Sequence, residues 1–308
     1  MRIGLMHGAG GDGANIEAQI QRLIDEENDG FDNAWFGQVF DMDSMTLIAM
    51  AGPRTSRIQF GTAIIPTYTR HPWAMAQQAM TVQAATNNRF TLGVGPSHQV
   101  VVEMMWGMSY AKPARHVKEY LSVLLPLVRE GKVQFSGEVY KAAGGITVPG
   151  IEPLPVLISA LAPMMLNIAG TMTDGTVTWM TGPKTIESHV VPGITAAAKE
   201  AGRPAPRVVV GLPVCVTEDI AAARDAAGKI FAVYNGLPNY KRMLDKEGAA
   251  GPADVAIVGN EAQVEAQIRA VASAGATDFL APIYPAGPDA LASMARTRAL
   301  LKSLVGKV

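Results

Sequence analysis

Phe90-Thr91-Leu92-Gly93-Val94-Gly95 is a short run of apolar and β-favouring residues, and it predicts a buried strand. Gly93 and Gly95 stand at alternate positions, so their missing side chains fall on one face, where a backbone or a flat ring can approach closely. Ser97 and His98 follow this strand. The run therefore predicts either a narrow point in a packed core or one wall of a ligand site.

Similar apolar runs recur along the chain and alternate with amphipathic helical stretches. The predicted strands cover residues 3–7, 33–37, 58–64, 90–95, 155–160, 176–180, 207–215 and 278–283. The predicted helices cover residues 15–29, 44–50, 73–86, 114–131, 163–172, 183–201, 220–234, 261–274 and 289–304. This order predicts an α/β fold, a single (β/α)8 TIM-barrel domain over residues 1–308, with functional groups on the loops after the strands.

A doubly wound open sheet is the competing fold. Residues 7–13 read His-Gly-Ala-Gly-Gly-Asp-Gly, which lacks the G-x-G-x-x-G spacing of a dinucleotide-binding turn. We interpret this glycine cluster as a mobile loop, with phosphate binding as the weaker alternative. Two insertions, residues 132–153 with a predicted hairpin and residues 236–254 with a short charged helix, are expected near the carboxyl-terminal mouth.

Composition points to small-molecule chemistry. The 26 Lys and Arg residues balance 27 Asp and Glu residues, so no basic field favours nucleic acid or a membrane surface. The single cysteine, Cys215, forms no internal disulfide, and with no signal sequence or membrane span in view we expect a cytoplasmic protein. No histidine pair has zinc-like spacing, so we expect no metal.

Residues 87–95 resemble the G-R-F-x-L-G-x-G signature at strand four of the luciferase-like monooxygenases and their deazaflavin (F420)-dependent relatives. Supporting motifs lie at residues 30–35, 61–66, 70–72, 159–164, 174–175 and 258–260. The resemblance spans essentially the whole chain. It implies a barrel that holds a flavin-type cofactor at its carboxyl-terminal mouth.

The resemblance also implies a set of cofactor-binding residues. In relatives, a cis peptide after strand three supports the cofactor ring, and it falls here between Ala63 and Ile64. Small residues before Pro163 leave N–H groups unpaired at a helix start, which predicts an anion site, with an ordinary turn as the alternative. Relatives hold the cofactor phosphate there. The cofactor-binding residues are then Gln38, Thr62, Ala63, Ile64, Ile65, Gly95, Ser97, His98, Ser159, Ala160, Leu161, Ala162 and Thr181.

His98 is the candidate catalytic acid or base. Gln38 stands at or near the position where many relatives carry a proton-transferring histidine, and glutamine does not exchange a proton near neutral pH. His98 aligns instead with a carboxylic acid of those relatives, although it could only hydrogen-bond the cofactor. His7 is a weaker candidate. The remaining histidines are interpreted as structural or surface residues: His71, His116 and His189.

The expected activity is hydride transfer between F420 and a small organic substrate. F420 is favoured over FMN because residues 63–64 and 95–99 look most like the F420-using branch. One alternative is an FMN-dependent two-component monooxygenase supplied by a separate reductase, and another is a barrel that binds a flavin without turnover. Residues 104–110, rich in methionine and aromatic side chains, predict a lid or substrate wall, with core packing between helices as the alternative. Related barrels imply a homodimer.

Overall fold

Eight parallel strands form a closed barrel in the computed structural model, which describes residues 1–8 and 15–308. Each strand pairs with the next, and the first also pairs with the last, with Arg2 opposite Asp278. The predicted TIM barrel is confirmed, whereas the glycine cluster at residues 10–13 lies outside the described residues. The barrel strands are β1 Arg2–His7, β2 Asn33–Phe36, β3 Gln59–Thr62, β4 Phe90–Gly95, β5 Val156–Ser159, β6 Gly175–Trp179, β7 Arg207–Gly211 and β8 Asp278–Ala281.

Helices surround the barrel. The longer ones are α1 Ile16–Asp29, α2 Ser44–Ala51, α3 Pro72–Ala85, α4 Pro113–Glu130, α5 Pro163–Met172, α6 Val191–Glu200, α7 Ile220–Ile230, α8 Pro238–Glu247, α9 Glu261–Ser273 and α10 Ala290–Leu304. Shorter helical segments are Gly52–Arg54, Val101–Met105, Pro183–Thr185, Ile186–Val190, Ala232–Gly236 and Pro252–Val255. Within the described residues, none of these helices has the length and hydropathy to span a bilayer.

Polar caps fix where several helices begin. The side chains of Asn15 and Asp43 accept hydrogen bonds from backbone N–H groups in the first turns of α1 and α2. Asn260 and Gln263 form a reciprocal capping box at the start of α9. Proline opens α3, α4, α5 and α8, where its missing N–H has no cost. These local signals set the loop lengths at the mouth.

Two predicted strands are each divided in the structure. The run predicted at 207–215 leaves the barrel after Gly211, and Val214–Val216 pairs instead with Ile257–Gly259. The run predicted at 58–64 ends at Thr62, and Ile65–Pro66 forms a separate pairing with β4. Both predictions were too long, because an unbroken apolar run indicates burial but not which neighbour it pairs with.

The hairpin predicted in the first insertion is confirmed. Lys132–Ser136 pairs antiparallel with Lys141–Gly145. The Glu119 carboxylate of α4 accepts N–H bonds from Val139 and Tyr140 in the connecting turn. The Tyr140 ring lies 5.3 Å from that of His71, which caps the start of α3. The hairpin therefore runs along the outer wall and its tip reaches the mouth end.

The barrel interior is filled in layers. At its amino-terminal end, the fully buried Asp278 carboxylate accepts from Arg207 Nη2 at 3.0 Å and from Thr277 Oγ1 at 2.7 Å. Asn33 Oδ1 accepts from Trp35 Nε1 at 2.7 Å, which links this polar layer to the apolar layer above it. The apolar layer consists of Trp35, Leu157, Val177, Val209 and Leu280. With both layers filled, a ligand site can form only at the other end.

We expect Gly93→Ala to destabilise the barrel strongly. A Cβ atom at Gly93 would lie 2.0 Å from the backbone oxygen of Thr62, so β3 and β4 would have to separate. The free energy of unfolding, measured by urea denaturation, should fall by about 3 kcal/mol or more. Gly236→Ala is the matched control, because nothing lies within 4 Å of its added Cβ. Equal stability of the two variants would contradict this account of Gly93.

Candidate active site

A cavity of about 290 Å³ lies at the mouth, between the carboxyl ends of β4 and β5. It brings together five of the predicted site residues: Ser97, His98, Ser159, Leu161 and Ala162. The other lining residues are Pro96, Tyr110, Pro113, Ala114, Met164, Met165, Asn239 and Tyr240. Since no charged side chain is among these lining residues, a ligand in this cavity would meet neutral polar groups and backbone N–H groups.

His98 lies in the turn that follows β4. Burial lowers the pKa of its imidazole from the usual value of 6.5. Its backbone oxygen accepts from the N–H groups of Val101 and Val102 and so anchors the π-helical turn Val101–Met105. The ring lies 5.6 Å from the ring of Tyr240. These contacts restrain His98. Its imidazole is neutral at neutral pH, which is the form that can accept a proton.

The start of α5 forms the opposite wall. Ala162 is the N-cap residue in an extended conformation, and Pro163 follows it. The backbone N–H groups of Leu161 and Ala162 donate to no other group in the described part of the chain. Unpaired N–H groups at the positive end of a helix favour an anion. The backbone oxygen of Leu161 is bonded to His189 Nε2 at 2.7 Å.

Residues of the neighbouring strands and of the segment after β3 fill the space beside Gly93 and Gly95 of β4. A Cβ atom at Gly93 would meet the Thr62 backbone, and one at Gly95 would lie 2.2 Å from Ser159 Oγ and 3.0 Å from Ile64 Cδ1. Close packing of neighbouring strands thus accounts for both glycines. Gly95 is not part of the cavity lining.

Two predicted polar ligands have their side chains engaged elsewhere. Gln38 Oε1 accepts the N–H of Ser44 at 2.8 Å and so binds the start of α2. Thr62 is buried, and its Oγ1 accepts the N–H of Gly93 at 2.8 Å while donating to the oxygen of the same residue at 2.9 Å. Neither side chain lines the cavity. Both hold the strand ends in place around the mouth.

The peptide bond between Ala63 and Ile64 is cis, as the resemblance implies. Both side chains pack on the apolar interior layer that includes Trp35. The backbone oxygen of Ile64 accepts the N–H of Gln38 at 3.3 Å. Three more predicted residues are buried and do not line the cavity: Ile65, Ala160 and Thr181.

His7 does not join His98. Its Nε2 lies 2.9 Å from Oε2 of the fully buried Glu26, and its ring lies 5.3 Å from the ring of Phe36. His7, Glu26 and Arg298 border a larger cavity of about 530 Å³ between β1, β8, α1 and α10. That cavity also reaches the carboxyl ends of β1 and β8, but it shares no lining residue with the smaller cavity. Because the smaller cavity brings together five predicted site residues, we place the candidate active site there.

Two of the remaining three histidines, His71 and His116, have structural contacts away from the cavity. His71 Nδ1 accepts the N–H of Trp73 at 3.2 Å. His116 is buried, bonds Thr67 Oγ1 at 2.9 Å and stacks on Tyr68 with ring centroids 3.9 Å apart. Across the described residues, no three His, Cys, Asp or Glu side chains are grouped as metal ligands.

Sequence reasoning missed Asn239 and Tyr240 among the residues that line the cavity, whereas Tyr110 lies in the predicted lid or substrate wall. Asn239 and Tyr240 come from the insertion at residues 236–254, more than 130 positions after His98. Tyr110 donates its hydroxyl to the Ser97 oxygen at 3.1 Å. The insertion was predicted near the mouth, but no local pattern indicates which of its side chains faces β4. Trp106, from the same loop as Tyr110, is not part of the lining.

The protein is an α/β barrel with a cavity at its mouth that is lined in part by His98. The family model for luciferase-like monooxygenases matches residues 1–278. The chain belongs to this family. It is an oxidoreductase of the flavin- or deazaflavin-dependent class.

Individual relatives agree with this assignment. The chain is 30% identical over 238 residues to a 5,10-methylenetetrahydromethanopterin reductase of Methanolobus tindarius, covering 74% of this chain and 71% of the relative. The solved coenzyme F420-dependent tetrahydromethanopterin reductase of Methanopyrus kandleri superposes with a TM-score of 0.79 at 22% identity, covering 100% of this chain and 98% of that one. An FMN-bound Baeyer-Villiger monooxygenase component of Pseudomonas putida gives a TM-score of 0.74 at 16% identity, covering 100% and 98%. Both solved structures share the barrel fold.

We expect His116 to make the fold sensitive to acid. Burial lowers the pKa of this imidazole to about 4, while Glu119 raises it by a smaller amount. Between pH 6.5 and 4 the unfolded chain binds a proton at this histidine that the folded chain does not bind. The free energy of unfolding should therefore decrease as the pH is lowered through this range, by up to about 3 kcal/mol. Denaturation curves measured across this pH range should show that the free energy of unfolding decreases less steeply with decreasing pH in His116→Gln than in the wild type. The exposed His71→Gln should keep the wild-type slope, and an unchanged slope in His116→Gln would contradict the prediction.

Proposed function

We propose that this protein is an F420-dependent oxidoreductase that moves a hydride between the deazaflavin and a small organic substrate. The observation that carries the proposal is that His98 and the unpaired N–H groups of Leu161 and Ala162 border one cavity. An anion-binding edge beside a neutral acid/base group suits a phosphate-bearing redox cofactor. The whole chain, residues 1–308, would form the single catalytic domain.

The residues of the mouth fit such a cofactor. The N–H groups at the start of α5 would hold its phosphate, with no carboxylate in the lining to oppose it. The cis peptide at Ala63–Ile64 lies beside the barrel interior, and the resemblance implies that such a peptide supports the cofactor ring. Of the other predicted contacts, Gln38, Thr62 and Thr181 would act by shaping the strand ends. When bound, the deazaflavin supplies a carbon centre that gives or takes a hydride.

His98 would move the proton that accompanies the hydride. Because burial lowers its pKa, the imidazole is neutral near pH 7 and can accept a proton from an alcohol-like substrate or, once protonated, return one. Apolar side chains of Met164 and Met165 and the ring of Tyr240 line the cavity around it and would limit the access of water to the reacting groups. Tyr110 fixes the turn through the Ser97 oxygen and so keeps His98 in position.

F420 is favoured over FMN by two of the relatives to which this chain is similar. The Methanopyrus kandleri reductase is described as F420-dependent, and the Methanolobus tindarius relative carries the corresponding reductase activity in its name. The FMN-bound neighbour keeps a two-component monooxygenase with a separate reductase as the second candidate. Titration of the purified protein with F420 and with FMN, followed by fluorescence, distinguishes them. Tighter binding of FMN would overturn the F420 assignment. A homodimer belongs to the same proposal.

Ala162→Glu should remove cofactor binding and leave the fold intact. A carboxylate at the start of α5 repels the cofactor phosphate and competes for the same N–H groups, so affinity should fall on the order of 100-fold or more. Asn167→Glu places the same charge on an exposed position of α5 outside the cavity lining and serves as the control. Fluorescence titration gives both affinities. Wild-type affinity in a folded Ala162→Glu variant would refute the phosphate site.

His98→Gln tests the acid/base role. The substitution keeps hydrogen bonding but removes the exchangeable proton, so the single-turnover rate should fall by about 100- to 10,000-fold with cofactor affinity little changed. With His98 as base, the wild-type rate should decline as pH falls below 6.5, because its pKa is lowered, and the variant should lack this decline. His71→Gln should retain both rate and pH profile. If affinity falls while the rate on the bound complex holds, His98 only positions the cofactor.

A further inference from the structure

His189 lies behind the wall of the cavity. It belongs to the π-helical segment Ile186–Val190, which follows β6, and its Nε2 lies 2.7 Å from the backbone oxygen of Leu161. The His189 side chain is not part of the cavity lining, whereas Leu161 and Ala162 are. The contact therefore reaches the anion-binding edge from outside the cavity.

The partner fixes the tautomer of this histidine. A backbone oxygen only accepts hydrogen bonds, so Nε2 of His189 must carry the proton and donate it. The hydrogen bond from His189 fixes the direction in which the carbonyl group of Leu161 points. The next residue, Ala162, is extended and precedes a proline, so the carbonyl of Leu161 lies outside α5 and accepts no intrahelical hydrogen bond.

The orientation of one peptide plane follows from this bond. In a trans peptide, the carbonyl of Leu161 and the N–H of Ala162 lie on opposite edges of the same plane. With the carbonyl turned towards His189 on the β6 side, the N–H of Ala162 is turned away from β6. On that other side lie β4 and the turn with Ser97 and His98. The bond thus aims a donor into the cavity.

The π-helical turn is what presents the histidine. The N–H of Val191 bonds the oxygen of Ile186, five residues earlier, which adds one residue to the turn. One added residue rotates the preceding side chains by about 100° relative to those that follow. Such single π turns are frequent at functional sites. A second one, Val101–Met105, begins just after His98 on the other side of β5.

We infer that His189 is a positioning residue for the anion site, acting through the Leu161–Ala162 peptide. This inference rests on the proposed function, because the anion is the phosphate of the cofactor. The role is specific: His189 controls affinity for the phosphate and not for the ring. A purely structural histidine would affect both alike, or neither.

The experiment compares ligands that carry the phosphate with ligands that lack it. FMN and riboflavin differ only in this group, whereas the precursor of F420 also lacks the groups attached beyond the phosphate. F420 is paired with its phosphate-free deazaflavin precursor, and FMN with riboflavin, each titrated by fluorescence. His189→Leu removes the donor and should weaken binding of the phosphate-bearing member about tenfold, with less than twofold change for its partner. His189→Gln keeps an N–H donor at similar reach and should restore the affinity. Thermal melting curves check that each variant is folded.

A second variant covers a failure of His189→Leu to fold. His189→Asn keeps a polar side chain that is too short to reach the Leu161 oxygen, so it should reproduce the selective loss. Equal loss for both members of a pair, or no loss at all, overturns the role of His189 while wild-type binding of F420 leaves the proposed function standing. If the wild-type chain binds neither F420 nor FMN, the proposed function fails, and the inference fails with it.

Discussion

The buried carboxylate of Asp278 is the constraint around which the barrel closes. Its oxygens accept from Arg207 Nη2 at 3.0 Å and from Arg2 Nη2, so one side chain connects β8, β7 and β1. A buried charge is tolerated only when it is paired and hydrogen-bonded in this manner. Because Arg207 also reaches Thr91 Oγ1 at 3.1 Å on the opposite wall, the amino-terminal end of the barrel is filled. Ligand chemistry is thereby confined to the other end.

Glycine gives the interior layers the room they need. A Cβ atom added at Gly61 would lie 2.4 Å from the Trp35 ring, and one added at Gly211 would lie 2.9 Å from the Trp179 ring. These glycines are therefore required by large interior side chains rather than by a ligand. The functional groups come instead from the turns beyond the strands, which explains why the cavity is lined by residues after β4 and β5.

The sequence allowed the barrel to be predicted, since apolar runs and capping residues are local signals. It did not show that Gln38 caps α2 or that the Thr62 hydroxyl bonds β4, because both contacts join segments distant in the chain. For the same reason Tyr240 and His189 were missed as neighbours of the site. His98 was identified because its position at a strand end is itself a local property. Contacts across the barrel follow from closure, which no window of sequence contains.

The candidate site depends on the register between β4 and β5. Leu92 lies opposite Val156 and Val94 opposite Ile158, so the turn with His98 faces the loop that leads into α5. A slip of one residue would reverse the faces of one strand and separate the histidine from the unpaired N–H groups. The helical segment that follows the neighbouring strand β6 supplies His189 to the same loop. Three adjacent strands thus determine one short backbone segment, and recognition by backbone N–H groups requires that segment to be held from both sides.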